Sequence, residues 1–358
     1  MARKVEIVGA GPVGLAIAVA LGRSGWSVRV HEASARLRPS GGGLYMQDRG
    51  VAALEAIGLG EDFSRTAWRP TFFETRLDGE RSTYEVNQTL FHTMLRQDLH
   101  DLLLRGAARH GVEVVTGSRI ALVRADGSIV AESGQQFAAD LVIAADGVGS
   151  RAYENLGIPQ SRERFSEGLI RVLANRRPLA GPQWEGTIDF WAYRHRPLRV
   201  LYTPCSADAC YLAFMAPLED TEAVAMPLNK DLWASSFPDL APLLALLEDP
   251  GRFDRYGMIV LDRWSCGRVA IVGDAAHAMP SSLGQGANVG IGTAVSLASY
   301  LSNLDDIDAA LRQWEREQRP GVEAVQNEAV HLIHSRALDR GRPEKEPLFV
   351  PGLEMQRV

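Results

Sequence analysis

The chain carries near its start a glycine-rich turn whose spacing could bind the phosphates of a dinucleotide. The turn consists of Gly9, Ala10, Gly11, Pro12, Val13 and Gly14. Gly9 permits a tight turn, Gly11 lets the backbone approach a pyrophosphate, and Gly14 lets a helix pack closely on a strand. The helix that begins here directs its N-terminus, and hence its partial positive charge, at the phosphates. The chemistry indicated is the binding of a dinucleotide cofactor.

An acidic residue follows at the distance that a cofactor ribose requires. Glu32 ends an alternating segment at residues 27–32, about twenty residues after the glycine turn, and is suited to accept hydrogen bonds from ribose hydroxyls. Such a turn also occurs as a plain structural feature, but the strand, the helix and the acid together favour a cofactor site. The pattern does not distinguish NAD from FAD.

Two further apolar segments, residues 141–145 and 268–272, end in an aspartate beside a glycine. The pairs are Asp146 with Gly147 and Gly273 with Asp274. A buried strand that ends in a turn of this kind presents a carboxylate at the edge of a sheet, where α/β proteins bind their ligands. Both pairs are therefore candidates for contact with the cofactor.

The segment at residues 267–288 resembles the ribityl-binding segment of the class A flavoprotein aromatic hydroxylases, the family typified by para-hydroxybenzoate hydroxylase. The resemblance implies that Asp274 holds the ribityl chain of FAD. It also implies that backbone N–H groups at the start of the next helix face the flavin pyrimidine carbonyl, around Gly284, Gly286, Ala287 and Asn288. A helix N-terminus at that place would stabilise the negative charge of the reduced flavin.

Two more segments match this family in the same order. Residues 144–151 match its Asp-Gly segment, which implies that Asp146 and Gly147 contact the cofactor and affect nicotinamide use. Arg96, which opens a helical segment at 94–110, matches an arginine near the FAD pyrophosphate. The resemblance thus implies FAD as the cofactor. No second glycine fingerprint is present, so NADH or NADPH is expected as a transient reductant.

A narrower resemblance, to the hydroxypyridine-carboxylate oxygenases of this family, covers most of the chain up to about residue 320. It implies catalytic or substrate-binding roles for Arg199, Tyr211, Arg171 and Tyr45. An arginine fork suits a ring carboxylate or phenolate, and a tyrosine suits a ring hydroxyl. The alternative is that the arginines are solvated strand residues and that Tyr211 is a core aromatic residue.

The sequence therefore predicts an FAD-dependent monooxygenase that uses NADH or NADPH and O₂ to oxygenate a small acidic aromatic or heteroaromatic ring. A flavin C4a-hydroperoxide is the expected oxygen donor, and ring opening is left open. Phe73 and Ser281 depart from the oxygenase pattern, which leaves the substrate undecided. The alternatives are a flavin hydroxylase of a larger natural-product phenol and a flavin-binding protein without turnover. An NAD-dependent dehydrogenase would not explain residues 273–288.

The pattern of strands and helices expected around these residues predicts an α/β fold. A strand at 4–8, a helix at 14–22 and a strand at 27–32 form a Rossmann-type unit. Aromatic-rich runs at 186–193, 198–203 and 209–216 predict an antiparallel sheet, and helices are expected at 285–301 and 304–336. The predicted FAD-binding domain comprises residues 1–72, 91–165 and 264–338. The predicted substrate domain comprises 73–90 and 166–263, and a loosely ordered tail is expected at 339–358.

Composition and charge limit the kinds of molecule that the chain is expected to bind. Of the 358 residues, 46% are hydrophobic and 23% are charged, which suffices for a globular core. A net charge of −6 without any lysine or arginine run disfavours nucleic acid. The three cysteines lack metal-ligand spacing, so no metal is expected. No run reaches the roughly 20 apolar residues of a membrane span, so a cytoplasmic protein is expected. The sequence leaves a homo-oligomer open.

Overall fold

The computed structural model of the chain describes residues 2–37, 42–85, 91–179, 181–338 and 356–357, and the elements below lie within those ranges. The strands are, in chain order, β1 (Lys4–Val8), β2 (Ser27–Glu32), β3 (Gly43–Gln47), β4 (Phe72–Leu77), β5 (Glu80–Glu85), β6 (Phe91–Leu95), β7 (Glu113–Thr116), β8 (Ile120–Val123), β9 (Ser128–Ala131), β10 (Gln136–Ala138), β11 (Leu141–Ala144), β12 (Gln160–Asn175), β13 (Thr187–Ala192), β14 (Leu198–Pro204), β15 (Ala209–Met215), β16 (Arg252–Leu261), β17 (Ser265–Cys266), β18 (Val269–Ile271) and β19 (Gln356–Arg357). The helices are α1 (Pro12–Arg23), α2 (Asp48–Ala56), α3 (Gly60–Thr66), α4 (Arg96–Arg109), α5 (Ala152–Asn155), α6 (Lys230–Ser236), α7 (Ala241–Ala245), α8 (Asp274–His277), α9 (Gly286–Asn303) and α10 (Ile307–Ser335).

A parallel sheet carries the glycine-rich turn. Its strand order is β17-β18-β11-β1-β2-β7, and every neighbouring pair is parallel except β17 with β18. Helix α1 packs between this sheet and the helices α4 and α9, which explains why its sequence is apolar on nearly all sides. The helix begins at Pro12, earlier than predicted, because proline suits the first helical position. The predicted Rossmann-type unit is confirmed.

A mixed, mostly antiparallel sheet forms the second layer. Its order is β16-β12-β15-β14-β13-β4-β5-β19, and only β13 with β4 is parallel within the described residues. The three predicted aromatic runs appear as β13, β14 and β15, whereas the long strands β12 and β16 were not predicted. Strand β12 begins at Gln160, so the predicted domain boundary at residue 166 falls inside a strand. We propose the same two-domain division with its boundary at Gln160 instead.

The two faces of this sheet differ because successive side chains of a strand point in opposite directions. One face packs against α6 and α7 and buries the large aromatic side chains Trp184, Phe190, Tyr202, Phe214 and Trp233. The opposite face, which looks toward the nucleotide-binding half, carries Arg171, Arg199, Tyr211 and Met215. Alternation therefore directs Phe190, Tyr202 and Phe214 of the aromatic runs into the core with α6 and α7, and Tyr211 to the opposite face.

The C-terminal helices α9 and α10 confirm the two predicted helical segments. The predicted loose tail lies outside the described residues except for Gln356–Arg357, which pair with β5. Helices of the described ranges lack the combination of length and apolar character that crossing a bilayer requires.

Candidate active site

An elongated groove begins where β1 and β2 end and leads to the polar face of the second sheet. Its first part, of about 470 Å³, is lined by Ala10, Gly11, Pro12, Glu32, Ser34, Leu37, Arg96 and His100. Its second part, which we call the crevice, has about 1170 Å³ of empty space that includes open solvent. Pro12 and Arg96 line both parts, so the two form one continuous groove.

The glycine-rich turn shapes the start of this groove through backbone packing. A Cβ on Gly14 would lie 2.0 Å from the carbonyl oxygen of Gly9. Gly9 has φ +103°, and a Cβ there would lie 2.5 Å from the carbonyl oxygen of Ala145. A Cβ on Gly11, in contrast, would meet nothing within 4 Å, because Gly11 faces the groove. Two glycines are thus required by the protein's own packing, and the third leaves space.

Three charged side chains line the groove with hydrogen-bonding capacity left over. The Glu32 carboxylate accepts the backbone N–H of Ala10 at 3.1 Å and that of Ser34 at 2.8 Å, which leaves acceptor positions for hydroxyl groups. Neither Arg96 nor Asp274 forms a side-chain hydrogen bond within the described part of the chain. Burial lowers the pKa of Arg96 and raises that of Asp274, and each group opposes the other's shift.

These groups fit a dinucleotide in the extended form. Arg96 offers an unpaired cation beside Gly11, as a pyrophosphate requires, while Glu32 and Asp274 offer carboxylates to sugar-like hydroxyls on either side of it. The start of α9 adds backbone N–H groups at Gly286 and Ala287, which line the crevice. A Cβ on Gly286 would meet only Met279 Cγ, at 3.9 Å, so this wall is open as well.

Three residues predicted to contact the cofactor do not line the groove. The Asn288 amide accepts the backbone N–H of Gln47 at 2.9 Å and donates to the Tyr45 carbonyl at 2.8 Å, so it ties β3 to α9. Asp146 and Gly147 lie beside the glycine-rich turn, where Asp146 Cα would be 2.9 Å from a Cβ on Gly9. Burial raises the pKa of Asp146. A direct role of these three residues in cofactor binding stays a prediction.

The opposite wall of the crevice brings together the predicted substrate residues. Strands β12, β14 and β15 are neighbours, and their alternation directs Arg171, Arg199 and Tyr211 into the same space. These residues are far apart in the sequence, and the register of the strands brings them together. In that register Arg171 pairs with Ala213, and Arg199 pairs with Met215.

Both arginines are already paired with carboxylates. Arg199 binds Asp189 in a bidentate manner, with Nε to Oδ1 at 2.7 Å and Nη2 to Oδ2 at 3.0 Å, and only 8% and 3% of these two residues are exposed. Burial lowers the pKa of Arg199, but Asp189 outweighs burial and the net shift is upward. The Arg171 Nε lies 2.6 Å from Asp254 Oδ2. The predicted alternative of solvated strand residues does not hold for these side chains.

A hydrogen-bonded network surrounds Tyr211. Arg171 Nη1 donates to the Tyr211 hydroxyl oxygen at 2.9 Å, and Arg171 Nη2 donates to Ser281 Oγ at 3.2 Å. Burial raises the pKa of Tyr211 to about 12, so the hydroxyl keeps its proton at neutral pH. Because its oxygen already accepts from Arg171, the Tyr211 O–H is left to donate into the crevice. Ser281, the departure from the oxygenase pattern, thus has a structural partner.

Tyr256, which was not predicted, also lines the crevice. Burial raises its pKa, and Arg199 and Arg171 oppose the shift. The signal was the alternation of Asp254 and Tyr256 along β16, a segment for which no strand was predicted.

Tyr45 and Phe73 lie at the edges of the predicted site. The Tyr45 ring lines the crevice beside Gly284, but its hydroxyl is hydrogen-bonded to Thr203 in the wall. Burial raises the Tyr45 pKa. Phe73 is 4% exposed and packs in the sheet rather than along the crevice. Tyr45 is therefore placed as part of the wall, with its hydroxyl directed away from the open space.

The fold and the groove together define a flavin-dependent enzyme with a dinucleotide site and an adjoining ring-sized crevice. The sequence profile described as "FAD binding domain" matches residues 2–329, and the chain belongs to this family of class A flavin monooxygenases. FAD is accordingly its cofactor, with NADH or NADPH as the reductant.

Individual relatives agree with this family. The chain is 40% identical over 332 residues to AqdB1 of Rhodococcus erythropolis, a proposed 2-heptyl-3-hydroxy-4(1H)-quinolone synthase, covering 91% of this chain and 86% of the relative. It is 38% identical over 336 residues to the 2-heptyl-3-hydroxy-4(1H)-quinolone synthase of Mycobacteroides abscessus, covering 91% and 89%. The solved structure of tetrameric 2-methyl-3-hydroxypyridine-5-carboxylic acid oxygenase superimposes with a TM-score of 0.89 at 34% identity, covering 97% of this chain and 95% of that one.

Proposed function

We propose that this chain hydroxylates a neutral N-heteroaromatic ring of the 2-alkyl-4(1H)-quinolone type at carbon 3, with NADH or NADPH and O₂ as co-substrates. Two relatives at 38–40% identity are named for the 3-hydroxylated product of such a ring. The prediction of a small acidic ring, which came from the resemblance to hydroxypyridine-carboxylate oxygenases, remains the alternative.

The observation that carries this proposal is the pairing of the two arginines in the crevice. Asp189 neutralises Arg199, and Asp254 pairs with Arg171 and also with the exposed Arg252. A substrate carboxylate would have to compete with Asp189 for Arg199, which form a buried bidentate ion pair. It would also add a third charge to that pair in a poorly solvated space. A neutral ring with one carbonyl and one N–H avoids this cost, because it needs only hydrogen bonds from the crevice wall.

We assign the cofactor's parts to particular residues that line the groove. Glu32 would hold the adenosine ribose, Gly11 and Arg96 the pyrophosphate, and Asp274 the ribityl hydroxyls. Gly286 and Ala287 would present backbone N–H groups to the flavin ring. When bound and reduced, FAD supplies the activation of O₂ for transfer to carbon.

Tyr211 is the residue that orients the substrate. Its O–H would donate to the ring carbonyl at carbon 4, while Arg171 holds the Tyr211 oxygen from the other side. Carbon 3 beside this carbonyl is electron-rich, because the ring nitrogen donates through the C2=C3 bond. One oxygen atom of O₂ becomes the hydroxyl on carbon 3 and the other leaves as water, with two electrons from NADH or NADPH and one proton from solvent.

The test is substrate-stimulated oxidation of NADH and NADPH by the FAD-loaded protein. We expect 2-heptyl-4(1H)-quinolone to accelerate the oxidation and to gain one oxygen atom by mass spectrometry. Turnover of 2-methyl-3-hydroxypyridine-5-carboxylate but not of the quinolone would favour the acidic alternative. Protein that binds FAD but is stimulated by neither ring would contradict both.

A further inference from the structure

A second cavity, which we call the side cavity, adjoins the crevice beside Arg199 and has about 670 Å³ of empty space that includes open solvent. The two cavities share four lining residues: Arg199, Met215, Tyr256 and Ser282. The two cavities are therefore adjacent around Met215 and Arg199, and a molecule bound in the crevice has a second space beside it.

The inner walls of the side cavity are mainly apolar. They come from the end of β15 with the loop that follows it, and from the end of α10: Met215, Ala216, Pro217, Leu218, Leu332 and Ile333. Charged groups also line it: Glu167, and Arg336, whose Nη1 donates to the Ser282 carbonyl oxygen at 3.0 Å. Ser166 and Glu219 are exposed and mark its outer end. The side cavity is thus apolar along two walls and polar toward solvent. This arrangement suits an aliphatic chain attached to a ring that is bound in the crevice.

We infer that the side cavity binds the alkyl chain of the substrate, an inference that rests on the proposed function. A chain on carbon 2 sits beside the reacting carbon, so it must leave the crevice while carbon 3 faces the flavin. In the crevice, the sheet wall carries ion pairs, and the opposite wall would be covered by the cofactor. The side cavity, in contrast, offers aliphatic side chains. Each buried methylene is expected to tighten binding by about fourfold.

The first test is a homologous series bound to the FAD-loaded protein by isothermal titration calorimetry. The ligands are 2-methyl-, 2-propyl-, 2-pentyl- and 2-heptyl-4(1H)-quinolone. We expect the dissociation constant to fall by about fourfold per methylene until the side cavity is full, with a heat-capacity change that becomes more negative along the series. Equal dissociation constants for all four ligands would overturn the inference and leave the side cavity as a solvent passage.

The second test fills the side cavity. Ile333→Trp puts a larger side chain into it, and His334→Trp makes the same change at the next, exposed position of α10. We expect Ile333→Trp to weaken binding of the heptyl ligand by at least about tenfold and that of the methyl ligand by less than about twofold, and His334→Trp to change neither. Equal weakening of both ligands by Ile333→Trp would overturn the inference.

These outcomes are separable from failure of the proposed function. If the methyl homologue is bound and hydroxylated as well as the heptyl one, the proposed function stands and the chain-binding role falls. If no member of the series binds or stimulates NADH or NADPH oxidation, the proposed function itself falls, and the alkyl-chain inference falls with it.

Discussion

The two walls of the crevice select their ligands by different physical means. The nucleotide-binding wall is shaped largely by backbone: the glycine-rich turn, of which Pro12 and Val13 line the crevice, and the start of α9 at Gly286. The sheet wall consists of side chains, in which Arg199 is paired with Asp189, and Arg171 with Asp254, a carboxylate that also binds Arg252. One wall thus depends on the absence of side-chain atoms and the other on the balance of side-chain charge.

This difference determines which kind of substitution damages each wall. A single added methyl group at Gly9 or Gly14 is enough to damage the turn behind the backbone wall, because its neighbours there are backbone atoms that cannot move aside. The sheet wall tolerates changes of shape better, but removal of one partner of a buried pair leaves an uncompensated charge. Steric substitutions should therefore affect cofactor binding, and charge substitutions should affect the choice of substrate.

The largest effect is expected for Gly14→Ala. The new Cβ would lie 2.0 Å from the Gly9 carbonyl oxygen, so the turn must distort. We expect a loss of about 3 kcal/mol or more in the free energy of unfolding and protein that is purified without FAD, measured by denaturant titration and by absorbance. Gly11→Ala is the control: its Cβ points into the groove, so we expect nearly unchanged stability without FAD and weakened FAD binding. Normal flavin content in Gly14→Ala would refute the steric account.

The next effect is expected for Asp189→Asn, which removes the partner of Arg199. An unpaired buried charge costs about 3–5 kcal/mol of stability, measured by thermal or denaturant unfolding. The freed guanidinium should also improve the binding of rings that carry a carboxylate, by about tenfold or more.

Glu74→Gln provides the matched control for Asp189→Asn. It breaks the buried pair of Glu74 with Arg76, which lies outside the crevice, while Arg76 keeps its contact with Asp239. We expect a smaller loss of stability and no change in ligand preference. If both variants alter the preference equally, charge balance at Arg199 does not set it.

The smallest effect is expected for Tyr211→Phe, which removes the hydroxyl that donates to the ring carbonyl. We expect kcat/KM to fall by about tenfold, ~1.4 kcal/mol, with flavin content unchanged. Tyr45→Phe is the comparison, because the Tyr45 hydroxyl is bonded to Thr203 in the wall and should matter by less than about threefold. A larger loss in Tyr45→Phe than in Tyr211→Phe would reverse the roles assigned to the two tyrosines.

The backbone wall was the more predictable from sequence. Glycines that must be adjacent in space, such as Gly9 and Gly14, are also close in the chain, so their spacing carries the information. The same holds for the segment from Asp274 to Gly286. Asn288 shows the limit: its position in the segment is clear, but only the packing of β3 on α9 reveals that its amide binds Gln47 and Tyr45.

The residues of the sheet wall were predictable from the sequence, but the ion pairs that they form were not. Arg171, Arg199 and Tyr211 were identified through resemblance, yet the partners Asp189 and Asp254 come from other strands. Strand register sets these pairings, and single-sequence patterns do not specify register across distant strands. For the same reason Tyr256 on β16 was missed, and the carboxylate partners of the two arginines were not predicted.

The most direct test of the neutral-ring account compares two ligands that differ in one group. Binding of 2-methyl-4(1H)-quinolone and of 4(1H)-quinolone-2-carboxylate to the FAD-loaded protein should be measured by isothermal titration calorimetry under identical conditions. Because Arg171 and Arg199 are paired, the account predicts that the methyl compound binds at least about tenfold more tightly. Tighter binding of the carboxylate would contradict it.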